Sequence, residues 1–324
     1  NYVESELKEI DADLAEPRTN EYPRVDKAAA WMLLAKLYLN AEVYTGQPRY
    51  TDAITYCNKI IAAGYTLEPK FKNLFLAEND KITSEIIFRI AYDGVKEKTY
   101  NGTTFLVHAA VGGDMDAVND FGIDGGWYGL RTTKNIVHLF SDVTGNTDSR
   151  AMFHTSGQNI EMNSILNFAD GYPVTKWRNV TSTGAGGSDK LFVDTDFPVF
   201  RLGDVYLMYA EAVLRGGTGG DAVTALKYIN LLRERAYGNT SGNITSAQLT
   251  LDFMLDERGR ELMWEGQRRT DLIRFGKYTG ANYVWPWKGN TLEGKAVEPY
   301  RTLFPLPAAD MIANPNLVQN EGYN

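Results

Sequence analysis

Two stretches of the chain repeat one plan, a helix, a short turn and a second helix, and this repetition restricts the fold more than any other feature. In VDKAAAWMLLAKLYLNAEVY, residues 25–44, Ala30, Leu33, Leu34, Leu37 and Tyr38 recur at helical spacing, and Asp26 and Lys27 suit a polar start. The spacing predicts a buried helix. After TGQPR a second helical pattern runs from Tyr50 and stops at Gly64, where glycine can take up a left-handed cap without steric penalty. Residues 200–217, FRLGDVYLMYAEAVLRGG, and the following TGGDAVTALKYINLLRERAYG, closed by Gly238, keep the same order. AKLYL at 35–39 parallels AEAVL at 210–214, and Asp52, Ala53 and Ile60 parallel Asp221, Ala222 and Ile229. Small alanines at crossing points are the pattern of tetratricopeptide-like pairs, in which each hairpin must bury its apolar face on a neighbour. Two pairs are too few for an independent solenoid, so other segments must cover their ends.

Between the pairs the pattern changes. EIIFRIAYDG, from residue 85, reads as a strand; YNGTTFLV, from residue 100, as a turn before a short apolar run; and GGDMDAVNDFGIDGGWYG, residues 112–129, as a long glycine and aspartate loop. Long loops inside a compact helical scaffold are usually functional or disordered, and aromatic residues within this one favour function as a ligand site. The expected fold is mainly α: a helical scaffold over residues 1–85, a loop-rich insert with short strands over 86–199, and a second helical scaffold over 200–324, forming one compact domain.

GRELMWEGQRRTDLIRFG, residues 259–276, is dense in opposite charges. Read as a helix, Glu257 and Glu261 flank Arg258 and Arg260, Glu265 faces Arg268 and Arg269, and Asp271 reaches Arg274. Paired carboxylates could also serve a glycosidase, which needs two acids about 5–9 Å apart across a cleft. Nearly every acid here has a base within a turn, so a structural role is expected, with Trp264 and the arginines pinning the helix to its neighbours.

The remaining composition narrows the partners. The 33 basic and 41 acidic residues give a net charge of −8, and no basic run tracks a phosphate backbone, which excludes nucleic acid. The lone Cys57 rules out an internal disulfide framework and reads as a buried small hydrophobe. Nineteen tyrosines and six tryptophans exceed the needs of core packing and suit surfaces that meet amphipathic ligands such as sugars.

FPVFRLGDVYLMYAEAVLR, ALKYINLLRERA, LDERGRELMWEGQRRTDLIRFG and LFPLPAADMIANPNLVQNEGY, in that order and with KAAAWMLLAKLYLNAEVYTG upstream, resemble the SusD/RagB family. The resemblance implies a SusD-like fold and a noncatalytic glycan-binding lipoprotein on the extracellular face of the outer membrane. Its implied partner is a SusC-like, TonB-dependent transporter. It also implies that the sequence corresponds to the C-terminal portion of the family, with the lipid-modified cysteine and a further stacking tryptophan in the region that precedes it. EIDADLAEPR, NAEVYTGQ, YNGTTFLV and the glycine-flanked Trp127 look most like the family's starch-binding member, which implies an α-glucan oligosaccharide as ligand. Tyr100 and Trp127 match that member's aromatic platform, in which flat rings stack on the C–H faces of pyranoses while polar groups take the hydroxyls. Asn101, Asp124 and Tyr128 stand beside them as candidates for hydroxyl contacts.

Other signals carry less. ENDKITSE, residues 78–85, lies where the starch-binding member has a calcium loop, but Lys81 and Ile82 interrupt the oxygen ligands, so neither a metal nor another cofactor is expected. His108, His138 and His154 stand apart, outside any zinc or triad context. Trp285 and Trp287 could form a second platform, although packing is the expected role. Two other classes compete with a binding protein: a helical glycoside hydrolase, and an intracellular helical-repeat adaptor for peptides.

Overall fold

The computed structural model describes residues 1–323. Helix α1 spans Tyr2–Glu9. Helix α2, Lys27–Leu39, starts at Asp26, whose carboxylate accepts hydrogen bonds from the Ala28 and Ala29 amides, so an acid stabilises the positive end of the helix. The predicted single helix over 25–44 breaks at Asn40, which accepts from Arg274 (2.9 Å) and donates to the Lys36 carbonyl (2.8 Å), and the short α3, Ala41–Thr45, follows. Leu33 also departs from the expected burial, at 43% exposed, whereas Ala30, Leu34 and Tyr38 are buried. Helix α4, Tyr50–Ala62, ends ahead of Gly64, whose φ of +81° is the predicted left-handed turn.

Strand β1, Ile86–Ile90, pairs antiparallel with β2, Phe197–Arg201, so the two strands stand at either end of the loop-rich stretch and hold it at its base. Within that stretch YNGTTFLV departs from its reading as a turn before a short apolar run. It contributes helix α5, Gly102–Ala109, whose inward residues Thr103, Thr104, Val107 and His108 follow helical spacing. The short α6, Lys134–Val137, comes next. Helices α7, Leu202–Leu214, and α8, Ala222–Tyr237, form the second predicted pair, and Gly238 ends it at φ +69°. Helices α9, Leu251–Glu261, α10, Arg268–Arg274, and α11, Ala308–Ala313, complete the chain's helices among the described residues.

Helix α4 packs on α2 and α7, and α7 also meets α8 and α9, so the two helix pairs share one apolar core that includes Met32, Ile54, Cys57, Met208 and Ile229. A second cluster, with Phe75, Val107, Ile123 and Trp177, lies under α5 and the loops.

The charged segment around residue 264 differs from its sequence reading. It is not one helix: α9 stops at Glu261, and Trp264 (φ +60°) and Gly266 (φ +75°) turn the chain before α10 begins. Trp264 therefore packs between the second cluster and a smaller one around Phe140 and Met263 instead of pinning a helix. The pairs Glu257–Arg260 and Asp271–Arg274 form as expected, but Glu265 bonds Lys176 and Arg201 instead of Arg268 and Arg269. Arg201 is the hub. It donates to Glu261 (2.6 Å), Glu265 (2.7 Å) and Glu85 (3.2 Å), with every partner buried. Arg150 joins Asp148, Glu257 and Glu261 in the same interior. Gly203 makes room for this network, because a Cβ there would lie 2.3 Å from the Arg201 guanidinium and 2.8 Å from Glu261. Burial alone would push the Glu257 carboxyl up, but Arg150, Arg260 and Arg233 outweigh it and bring it down to about 2. Glu261 is likewise held well below the carboxylate range by Arg235, Arg201 and Arg150 against its burial.

Candidate functional site

The aromatic candidates converge. Tyr100 and Trp127, 27 positions apart in sequence, have ring centroids 6.3 Å apart and planes inclined at 46°. Both are open to solvent, at 58% and 39% exposure. Tyr100 stands just before α5, and Trp127 arrives on the loop that folds back over the far end of the same helix.

That loop is held by backbone chemistry. A helix leaves its last carbonyls without partners, and here the loop supplies donors: the Trp127 amide bonds the His108 carbonyl (2.9 Å), and the Gly129 amide bonds that of Ala109 (2.9 Å). Only glycine fits at 126, where a Cβ would lie 2.1 Å from the Val111 carbonyl oxygen. Trp127 is thus fixed by the residues around it.

Three further side chains complete the surface, and none was singled out for it from sequence. The His108 imidazole lies flat beneath Trp127, with centroids 4.7 Å apart and planes within 21°. It is wholly buried, and its Nδ1 and Nε2 face the carbonyl oxygens of Gly125 (2.8 Å) and Leu191 (3.0 Å), tying helix, loop and the 189–194 turn together. Phe105 flanks Trp127 at 6.1 Å, and Phe192 flanks Tyr100 at 5.1 Å. Phe105 was legible in principle: once residues 102–109 are read as a helix, it is the large apolar side chain on the side away from Val107. Phe192 carried no local signal.

The polar candidates take different positions. Asn101 is exposed at the start of α5, directly after Tyr100. Asp124 is exposed at the rim, its carboxylate 4.0 Å from the His108 ring. Tyr128 turns away from Trp127 and packs edge-on against Phe168 at 5.2 Å. The site is therefore an open, angled aromatic surface with a polar margin, suited to stacking on a ligand with apolar faces and a hydroxylated rim.

Elsewhere the pattern is structural. The Trp287 indole donates to the Met162 carbonyl (2.7 Å), as packing would require. In the 78–85 loop, Asn79 is buried and bonded to backbone carbonyls, and Glu85 is committed to Arg201 and Arg235. Among the described residues, no cluster of three or more His, Cys, Asp or Glu side chains could hold a metal ion.

Residues 155–323, just over half of the chain, match the SusD family. The chain belongs to the SusD family. Its similarity to the starch-binding protein SusD of Bacteroides thetaiotaomicron is 36% identity over 368 residues, covering 99% of this chain and 65% of that protein. The chain thus spans slightly less than two thirds of that relative's length. SusD-like protein P2 of Formosa agariphila is 25% identical over 92% of the chain and 59% of its own length. Among solved structures, surface glycan-binding protein A from Bacteroides thetaiotaomicron in complex with laminarihexaose is similar with a TM-score of 0.73 and 25% identity, over 98% of this chain and 69% of that one. The mainly helical architecture with a small two-stranded sheet matches a SusD superfamily protein from Bacteroides vulgatus, with a TM-score of 0.69 and 25% identity, over 99% of this chain and 64% of that one.

Proposed function

We propose that this protein is a noncatalytic glycan-binding protein of the cell surface whose ligand is a starch-like α-glucan oligosaccharide. The observation that carries this reading is the Tyr100–Trp127 surface, solvent-exposed yet rigidly supported by His108 and the α5 carbonyls. Large aromatic rings held at the surface forgo burial, and a ligand whose apolar faces cover them restores it. Two ring planes inclined at 46° favour a glycan that turns from one sugar to the next over a flat ribbon. The similarity to a starch-binding protein supports an α-glucan within that class.

Binding without cleavage fits the acids. The carboxylates of the charged segment that could have suggested hydrolysis are buried and clasped by arginines and a lysine. Stacking and exposed hydroxyl contacts exchange water for sugar with small net gain, so each site should bind weakly. The proposal includes handing the glycan to a TonB-dependent, SusC-like transporter from a lipid-anchored position at the outer membrane, a reading that SusD family membership supports. No helix among the described residues is long and apolar enough to cross a membrane.

The test is titration calorimetry with maltoheptaose, α-cyclodextrin and laminarihexaose, with reducing-end release measured in parallel. Binding of the first two without release supports the proposal. Release of reducing ends would indicate a hydrolase, and binding of laminarihexaose alone would move the ligand to a β-glucan.

A further inference from the structure

Trp127 and Tyr128 form a ridge whose two sides differ. Trp127 faces Tyr100, Phe105 and His108, whereas Tyr128, at φ +56° and 56% exposed, faces Phe168. A left-handed conformation in a bulky residue is uncommon and needs support from its surroundings. The support is visible: the Tyr128 amide bonds the Val111 carbonyl (3.1 Å), and the chain passes so close beneath the rings at Gly112 that a Cβ would lie 2.7 Å from both Tyr128 and Phe168. Arg131 fixes the other partner. Its guanidinium donates to the carbonyls of Gly129, Ile165, Asn167 and Asp170 and lies 5.5 Å over the Phe168 ring.

A polar group follows closely along the chain. Two residues after Gly112, the Asp114 carboxylate accepts from Ser156 Oγ (2.6 Å) and lies 2.7 Å from His154 Nε2. These contacts engage one position on each oxygen, and a carboxylate oxygen has a second lone pair to offer. The Asp114 side chain is 59% exposed, so those positions face solvent. The exposed ring, locked in place, and the oriented acceptor two residues along from Gly112 supply the same two elements, an apolar face and a hydroxyl partner, that make the Tyr100–Trp127 side fit a pyranose.

We infer that Tyr128, Phe168 and Asp114 form a second sugar subsite, continuous with the Tyr100–Trp127 platform across the Trp127–Tyr128 peptide, so that the protein selects for glycan length. A pyranose would lay its C–H face on Tyr128 and donate hydroxyls to Asp114. The inference rests on the glycan-binding reading above and deepens it, because it assigns chain-length preference to residues on the far side of the ridge.

The experiment compares affinities for maltotriose and maltoheptaose by calorimetry in the wild type, Tyr128→Ala and Asp114→Ala. The wild type should bind the longer sugar more tightly, and the ratio of the two affinities should fall about tenfold in Tyr128→Ala and about threefold in Asp114→Ala. Asp114→Ala, at an exposed position away from the left-handed turn, keeps the test decisive if Tyr128→Ala disturbs the loop. A ratio unchanged in folded variants overturns the subsite and leaves the platform standing. A wild type that binds neither sugar overturns the α-glucan reading and the subsite with it.

Discussion

The interior around Arg201 and the surface around Trp127 use side chains against their usual habits. In the first, charges are buried; in the second, large aromatics are exposed. Each exception has a different explanation. The buried acids are matched by bases at hydrogen-bond distance, so they need no outside partner and act on stability. The exposed rings lean on one another yet keep open faces, and under the proposed function a ligand is their remaining partner. A residue in an unusual environment signals structure when its partners are within the chain and binding when they are not.

The largest effect should come from breaking the interior. Arg201→Ala leaves Glu261, Glu265 and Glu85 buried with less compensation, and should destabilise the fold by about 3–5 kcal/mol, measured by chemical denaturation. Glycan affinity per folded molecule should survive, since Arg201 is no part of the aromatic surface.

Acid should weaken the same network. Glu257, held at about 2 against an ordinary 4.5, binds its proton less readily folded than unfolded, so the unfolded chain takes up protons first as pH falls. Its stabilisation is complete above about pH 4.5 and is lost between there and about pH 2, with Glu261 adding in the same direction. Melting temperatures across that range should fall steeply, and Glu257→Gln should flatten the fall.

A smaller change is expected at Arg269. It sits 4.0 Å over the Phe304 ring and 5.0 Å from that of Tyr278, and donates to the Arg301 and Thr302 carbonyls. It therefore secures the C-terminal segment, a different role from the helix pinning expected of it. Arg269→Ala should cost about 1–2 kcal/mol, and thermal melting should register a drop of a few degrees with glycan affinity intact.

The same contrast explains what could be read in advance. Helical spacing marked both helix pairs, and Gly64 and Gly238 marked their ends, because those signals are local. The partners of the buried acids were not legible, since spacing along a helix sees only residues three or four apart, while Glu261 reaches Arg201 and Arg150 across 60 and 111 positions. Helix α5 was missed because its β-branched Thr103 and Thr104 lower helical propensity, and burial against the second core cluster overrides it. Tyr100 and Trp127 were singled out through family resemblance. The support beneath them was not found, because His108 and Phe192 join the surface through tertiary contacts alone.

The central claim is that the exposed rings bind the ligand while the charged segment around residues 257–274 only holds the scaffold. Its most direct test is calorimetric titration of maltoheptaose into the wild type, Trp127→Ala and Arg269→Ala, with each variant's melting temperature recorded. The account predicts that Trp127→Ala melts like the wild type but loses affinity about tenfold or more, while Arg269→Ala melts lower and binds normally. Undiminished binding by folded Trp127→Ala, or a selective loss of affinity in Arg269→Ala, would contradict it.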